Sequence, residues 1–116
     1  MTTQEFYKAI GGDYDEISRR IPSDLLIRRF LLKFPADPSY AALMAARARQ
    51  DVNGAFLAAH TLKGVASTLG LTALAASAAH LADSLRPLTG FPDDAAFDAV
   101  AAAYRQVTEQ LPLFSQ

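Results

Sequence analysis

Apolar residues recur every three or four positions along nearly the whole chain, and polar residues fill the gaps, a period that belongs to helices. Alternating Val/Ile/Thr runs are missing, and no Asn-Gly pair joins two such runs, so strand signals are absent. Thr2 and Glu5 have the spacing of a capping box for a short helix near residues 3–10, which Gly11 and Gly12 stop. Asp13 can cap another short helix over 14–20, before Pro22. Ser23 opens a third, to about Phe34, with Leu26, Ile27, Phe30, Leu31 and Phe34 in its apolar stripe and Arg28, Arg29 and Lys33 facing out.

Asp37-Pro38 reads as an N-cap followed by proline at the first helical position. That helix runs to about Arg49, with Tyr40, Leu43, Met44 and Arg47 in one row. Asp51 caps a long central helix over residues 52–69, and Gly70 stands where a left-handed residue would end it. Thr72 starts the next, which Pro87 ends; Asp93 caps a last one with Phe97, Val100, Ala101, Tyr104, Val107 and Leu111 along its stripe, stopped by Pro112. Short connections favour antiparallel neighbours, so the expected fold class is all-α, a helical bundle in a single domain over 1–116.

Composition narrows the chemistry. The 116 residues are 51% hydrophobic and 20% charged with net charge −1, a globular composition with no bias towards nucleic acid or an anionic membrane. Without cysteine there is no disulfide, thiol catalysis or Cys-based zinc site. Two histidines are too few for an all-protein metal cage, so no metal and no cofactor is expected on this chain. No signal peptide or membrane-length apolar run is visible, which leaves the cytoplasm as the expected setting.

The central helix carries the unusual residues. Wound at about 100° per residue, it puts Val52, Ala55, Ala59, Leu62, Ala66 and Leu69 on one arc. Phe56, His60, Lys63, Gly64 and Ser67 fall on the roughly opposite arc, with Leu57 beside them. His60 therefore points away from the core, and a surface bystander explains neither the lysine one turn on nor a mid-helix glycine that costs roughly 1 kcal/mol relative to Ala. An exposed neutral imidazole is a nucleophile that can hold a phosphoryl group. Lys63 would place an ammonium against the phosphoryl oxygens, Gly64 would admit a partner's active site, and Ser67 could donate a hydrogen bond. Phe56 and Leu57 supply apolar surface for docking. His80 and the basic set Arg19, Arg20, Arg28, Arg29 and Lys33 read as surface residues, and Phe6, Tyr7 and Ile10 as packing residues of the first helix.

The run A-H-T-L-K-G-V-A-S-T-L-G, from Ala59 to Gly70, resembles the signature of histidine phosphotransfer (HPt) domains, in core and site positions alike. Asp51 before it, Leu74 after it and the earlier stretch I-G-G-D-Y-D-E-I-S-R-R-I-P-S-D-L-L-I-R-R-F are similar to free-standing bacterial members. The resemblance implies an antiparallel four-helix bundle with one or two short extra N-terminal helices. It implies His60 as phosphoacceptor, and a phosphorelay carrier without nucleotide-dependent activity of its own. Its partners would be response-regulator receiver domains and hybrid or other sensor kinases, with the divalent metal on the receiver. A monomer is expected, binding neither nucleic acid nor membrane. In many relatives a Glu or Gln of the following helix comes near the histidine; register places that residue around 82, where this chain has Ala82, with His80 and Asp83 nearby. Two alternatives stand beside the relay reading: a helical module that docks or sequesters a receiver without transfer, and an HPt-type domain phosphorylated by a chemotaxis-type kinase. The chain stops at F-S-Q with no linker or catalytic domain, which favours the free-standing form.

Overall fold

The computed structural model describes residues 1–114. Its elements are α1 (Thr3–Ala9), α2 (Tyr14–Arg20), α3 (Asp24–Lys33), a 3₁₀ turn (Phe34–Ala36), α4 (Ser39–Ala48), α5 (Val52–Thr68), α6 (Thr72–Leu85) and α7 (Asp94–Phe114), with no strand among the described residues. The local start signals act as the sequence predicts. Thr2 and Glu5 bond reciprocally, and the side chains of Asp13, Ser23 and Asp51 accept from the backbone N–H of Glu16, Leu26 and Gly54. Each satisfies a donor that the first helical turn leaves without a partner.

Two boundaries differ from expectation. Pro38 lies just before α4 and not inside it; Asp37 remains extended, and its carboxylate accepts from the backbone N–H (3.0 Å) and the hydroxyl of Ser39, an Asx-type turn that does the capping one step earlier. Pro112 does not stop α7, which continues to Phe114. The proline falls in the last turn, and burial of Leu111 and Phe114 on either side holds that turn to the core.

Helix α5 sits centrally, packed on α4 and on α6, while α6 packs on α7. Its stripe Ala55, Ala59, Leu62 and Ala66 is fully buried, and the alanines let the neighbouring helices approach closely. Side chains connect α7 to α4: the Tyr40 and Tyr104 rings stack 3.7 Å apart at 5°, and Arg47 bonds Asp94 at 2.8 Å while lying over the Phe97 ring. Tyr40 is near the start of α4 and Tyr104 is midway along α7, whereas Arg47 near the end of α4 meets the first residue of α7. The two helices therefore run in opposite directions.

The N-terminal helices hold the α5–α6 turn. Gly70 adopts φ +71°, its N–H donates to the Ser67 carbonyl, and the Leu71 N–H donates to the Ala66 carbonyl, which is a Schellman termination. Tyr7, fully buried with Phe6, donates its hydroxyl to the Leu69 carbonyl at 2.6 Å, and the Asp13 N–H donates to the Gly70 carbonyl. Burial pushes the Tyr7 phenol above its ordinary value. A raised phenol favours the fold below the unfolded value near pH 10, and the advantage disappears as pH rises through the folded value. Tyr7→Phe is therefore expected to cost about 1 kcal/mol at pH 7 and less above pH 10, where only the wild type loses stability to ionisation of this phenol. Urea unfolding at the two pH values measures it, and an unchanged gap would remove this role for the phenol.

The stripe on α3 is narrower than its periodicity predicts. Ile27, Leu31 and the following Phe34 are buried, but Leu26 and Phe30 remain 43% and 42% exposed. A ten-residue helix that meets the body along one edge cannot bury the flanks of a wide apolar arc. Arg28 does not face out; its guanidinium covers the Phe114 ring at 4.4 Å and donates to the Phe114 carbonyl at 3.1 Å. No helix among the described residues is long and apolar enough to cross a membrane.

Candidate functional site

Both ends of α5 are fixed, by the Asp51 cap and by the Gly70 termination, and its buried stripe sets the rotation of the helix. The opposite face follows from that. His60, Gly64 and Ser67 are exposed there and Lys63 is half-exposed, so the structure brings together on one surface the four residues the sequence singles out. Among the described residues His60 makes no hydrogen bond or ion pair. Its ring lies beside that of Phe56, centres 6.2 Å apart and planes 23° from parallel. A Cβ built on Gly64 would meet nothing within 4 Å. The glycine is therefore not required by any neighbour inside the molecule. Ser67 offers its carbonyl to the Arg20 guanidinium at 2.9 Å as well as to the N–H of Gly70.

The two apolar residues beside the histidine differ. Leu57 is 63% exposed, whereas Phe56 is partly buried against the core and forms a wall of the site more than a free contact surface. The guanidinium of Arg86, from the end of α6, lies 5.5 Å from the Phe56 ring centre on the α6 side.

On α6, Ala82 is 1% exposed and lies about 40° round the helix from Arg86, and its methyl group offers the histidine no hydrogen bond. His80 is exposed, and it lies about 120° round α6 from Arg86, which marks the side turned to α5. His80 and His60 therefore do not form a pair. Asp83 is exposed and accepts from Arg86 at 3.2 Å. Arg86 is the site residue that the sequence reading misses. The signal for it lies in the connection: counting outward from the tight turn at Gly70 places Phe56 level with Arg86.

A second missed feature is a groove. Between α3 and α5, Phe30, Lys33, Thr61, Gly64, Val65 and Thr68 line a cleft of about 540 Å³, and past Thr61 a cleft of about 390 Å³ continues between α4 and α5 under Leu57. Gly64 thus opens sideways onto an apolar trough as well as outward beside the imidazole. Among the described residues no three His, Asp or Glu side chains converge on a possible metal position.

This arrangement has a definite chemical range. It offers a solvent-facing imidazole nucleophile, an ammonium one helical turn away, open space where a side chain would stand, and apolar surface for a partner. Among the described residues no general base stands against the imidazole, and the sequence holds no Gly-rich phosphate loop. A protein-family model described as the Hpt domain matches residues 31–111. No curated protein and no solved structure gives a match. The matched stretch contains α4, α5 and α6 with the whole exposed face, and it leaves out α1, α2 and most of α3.

Proposed function

The chain belongs to the Hpt-domain family, and from that premise we propose that it carries a phosphoryl group on His60 between the aspartates of receiver domains in a multistep phosphorelay. Domains of this family are phosphocarrier modules. The observation that carries the reading is His60 itself, held on a fixed helix, exposed, without a hydrogen-bonding partner among the described residues, and next to a glycine that the interior does not need.

In the forward step the lone pair of the unprotonated ring nitrogen attacks the phosphorus of an aspartyl phosphate in line with the departing oxygen. The N–P bond forms as the acyl O–P bond breaks, the carboxylate leaves ionised, and the second ring nitrogen keeps its proton. Transfer to a second aspartate reverses these bonds. Lys63 balances charge on the phosphoryl oxygens as a flexible point charge, and Ser67 lies on the same face one turn beyond. On this reading the divalent cation that such a transfer uses belongs to the receiver.

Docking needs apolar contact close to the nucleophile. Leu57, the edge of Phe56 and the cleft lined by Phe30 and Gly64 provide it on the α3–α4 side of His60. The contacts α4–α5, α5–α6 and α6–α7, with the Tyr40–Tyr104 stack and the Arg47–Asp94 pair joining α7 to α4, support the antiparallel four-helix bundle as the carrier body, with α1 and α2 packed against it. Partners of this kind, response-regulator receivers and sensor kinases, place the protein in the cytoplasm as a monomeric shuttle.

The test is incubation with a receiver domain phosphorylated on its aspartate. Label is expected to move to this protein as an acid-labile, alkali-stable adduct, and a failure to move from any receiver of the same cell would sink the proposal.

A further inference from the structure

We propose that Phe56 is the positioning residue of the nucleophile, its ring setting the plane of the His60 imidazole in a site where no hydrogen bond does so; this rests on the carrier role of His60. Two observations meet here. Among the described residues His60 makes no hydrogen bond or ion pair, and α6 beside it offers none: Ala79 and Ala82 carry no polar side-chain atom, and His80 lies on the far side. The Phe56 ring nonetheless lies next to the imidazole, centres 6.2 Å apart and planes 23° from parallel.

In-line attack asks for more than an exposed imidazole. The lone pair of the attacking nitrogen lies in the ring plane, so that plane must contain the phosphorus of the incoming aspartyl phosphate. On an open helix face only rotamer preference would fix it, and χ2 of a histidine is broad. Helical side chains lean towards the N-terminus, which brings the ring of residue 60 over the turn that carries residue 56. An aromatic ring standing there favours a near-parallel, offset neighbour, and with it one plane for the imidazole.

Phe56 can impose a plane only if its own is held. It is partly buried and packed against the core, on a helix whose two ends are fixed. Orientation by a stack also differs in consequence from orientation by a hydrogen bond. A hydrogen bond commits one ring nitrogen, whereas the stack leaves both open, one to attack and the other to keep its proton.

The experiment compares two phosphoryl donors. A receiver domain phosphorylated on its aspartate presents the phosphorus from one direction, so transfer from it depends on the ring plane. Phosphoramidate is small and can approach the imidazole from any open side; it gives up its phosphoryl group by breaking its own N–P bond and releasing ammonia. The ratio of the saturated receiver rate to the phosphoramidate rate is expected to fall roughly tenfold in Phe56→Leu and to return in Phe56→Tyr, which restores the ring. Nuclear Overhauser contacts between the two rings are expected in the wild type. An unchanged ratio in Phe56→Leu would overturn the positioning role, as would a lowered ratio that Phe56→Tyr does not recover. A change confined to the receiver concentration for half-maximal rate would make Phe56 a docking surface and overturn it too. Absence of ring-to-ring contacts in the wild type would do the same, whether or not the leucine variant folds. Failure of the wild type to take label from a receiver would instead overturn the carrier reading, and this proposal with it.

Discussion

His60→Gln is expected to abolish phosphoryl uptake from a phosphorylated receiver, with no detectable acid-labile label, while the fold changes by less than about 0.5 kcal/mol. The two expectations come from the same observation. An exposed side chain with no hydrogen bond among the described residues contributes almost nothing to stability, so its removal costs the fold almost nothing. The chemistry, by contrast, depends wholly on it. A glutamine amide nitrogen has its lone pair delocalised into the carbonyl and cannot attack phosphorus, although the side chain is of similar reach and polarity. Label measured alongside a thermal melt reads both at once. Persistent label in His60→Gln that disappears in His80→Gln would move the acceptor to α6, since His80 is exposed as well. A module that docks without transferring gives a third pattern: equal affinity of wild type and His60→Gln for the receiver, with no label in either.

Gly64 gives the second large effect, and it separates stability from transfer in opposite directions. Gly64→Ala is expected to stabilise the protein by about 0.5–1 kcal/mol, because the position is ordinary helix and an added Cβ has open space around it. Gly64→Gln is expected to slow transfer on the order of 100-fold at unchanged or raised melting temperature. The longer side chain would fill the space beside the imidazole into which the partner's phosphorylated aspartate must come, and a displacement of the reacting atoms by an ångström is enough to lose that much. Stopped-flow transfer rates with a melting curve on each variant make the check. An unimpaired rate in Gly64→Gln would mean that the glycine has no part in access.

The helices and the exposed face of α5 could be read from the chain because each rests on local rules. Caps at Thr2, Asp13, Ser23 and Asp51 need only the next three residues, and the rotation of α5 follows from its own alanines and leucines. What periodicity could not supply is how far each helix is covered. Leu26 and Phe30 have the same spacing as buried residues, yet α3 meets the body along an edge and leaves them half in water. Arg28 and Arg86 carry charges that a pattern assigns to solvent, while in space each lies over an aromatic ring from a distant part of the chain. The rotation of α6 is legible on the same local rule as that of α5, since Leu74, Ala78, Leu81 and Leu85 hold the helical period and are all buried.

The grip of the N-terminal helices on the turn after α5 bears on where this module can be cut. The family match starts at residue 31, yet the carbonyls at the end of the nucleophile's own helix are met from outside it: Ser67 by Arg20, Leu69 by Tyr7, and Gly70 by the backbone of Asp13. The boundary of sequence similarity and the boundary of the folding unit are therefore different places. A fragment trimmed to the shared stretch would keep His60, Lys63 and Gly64 and lose the clasp that stops their helix from unwinding at its far end. In a fusion or a minimal relay built from this chain, the first thirty residues belong with the carrier and cannot serve as a spare linker.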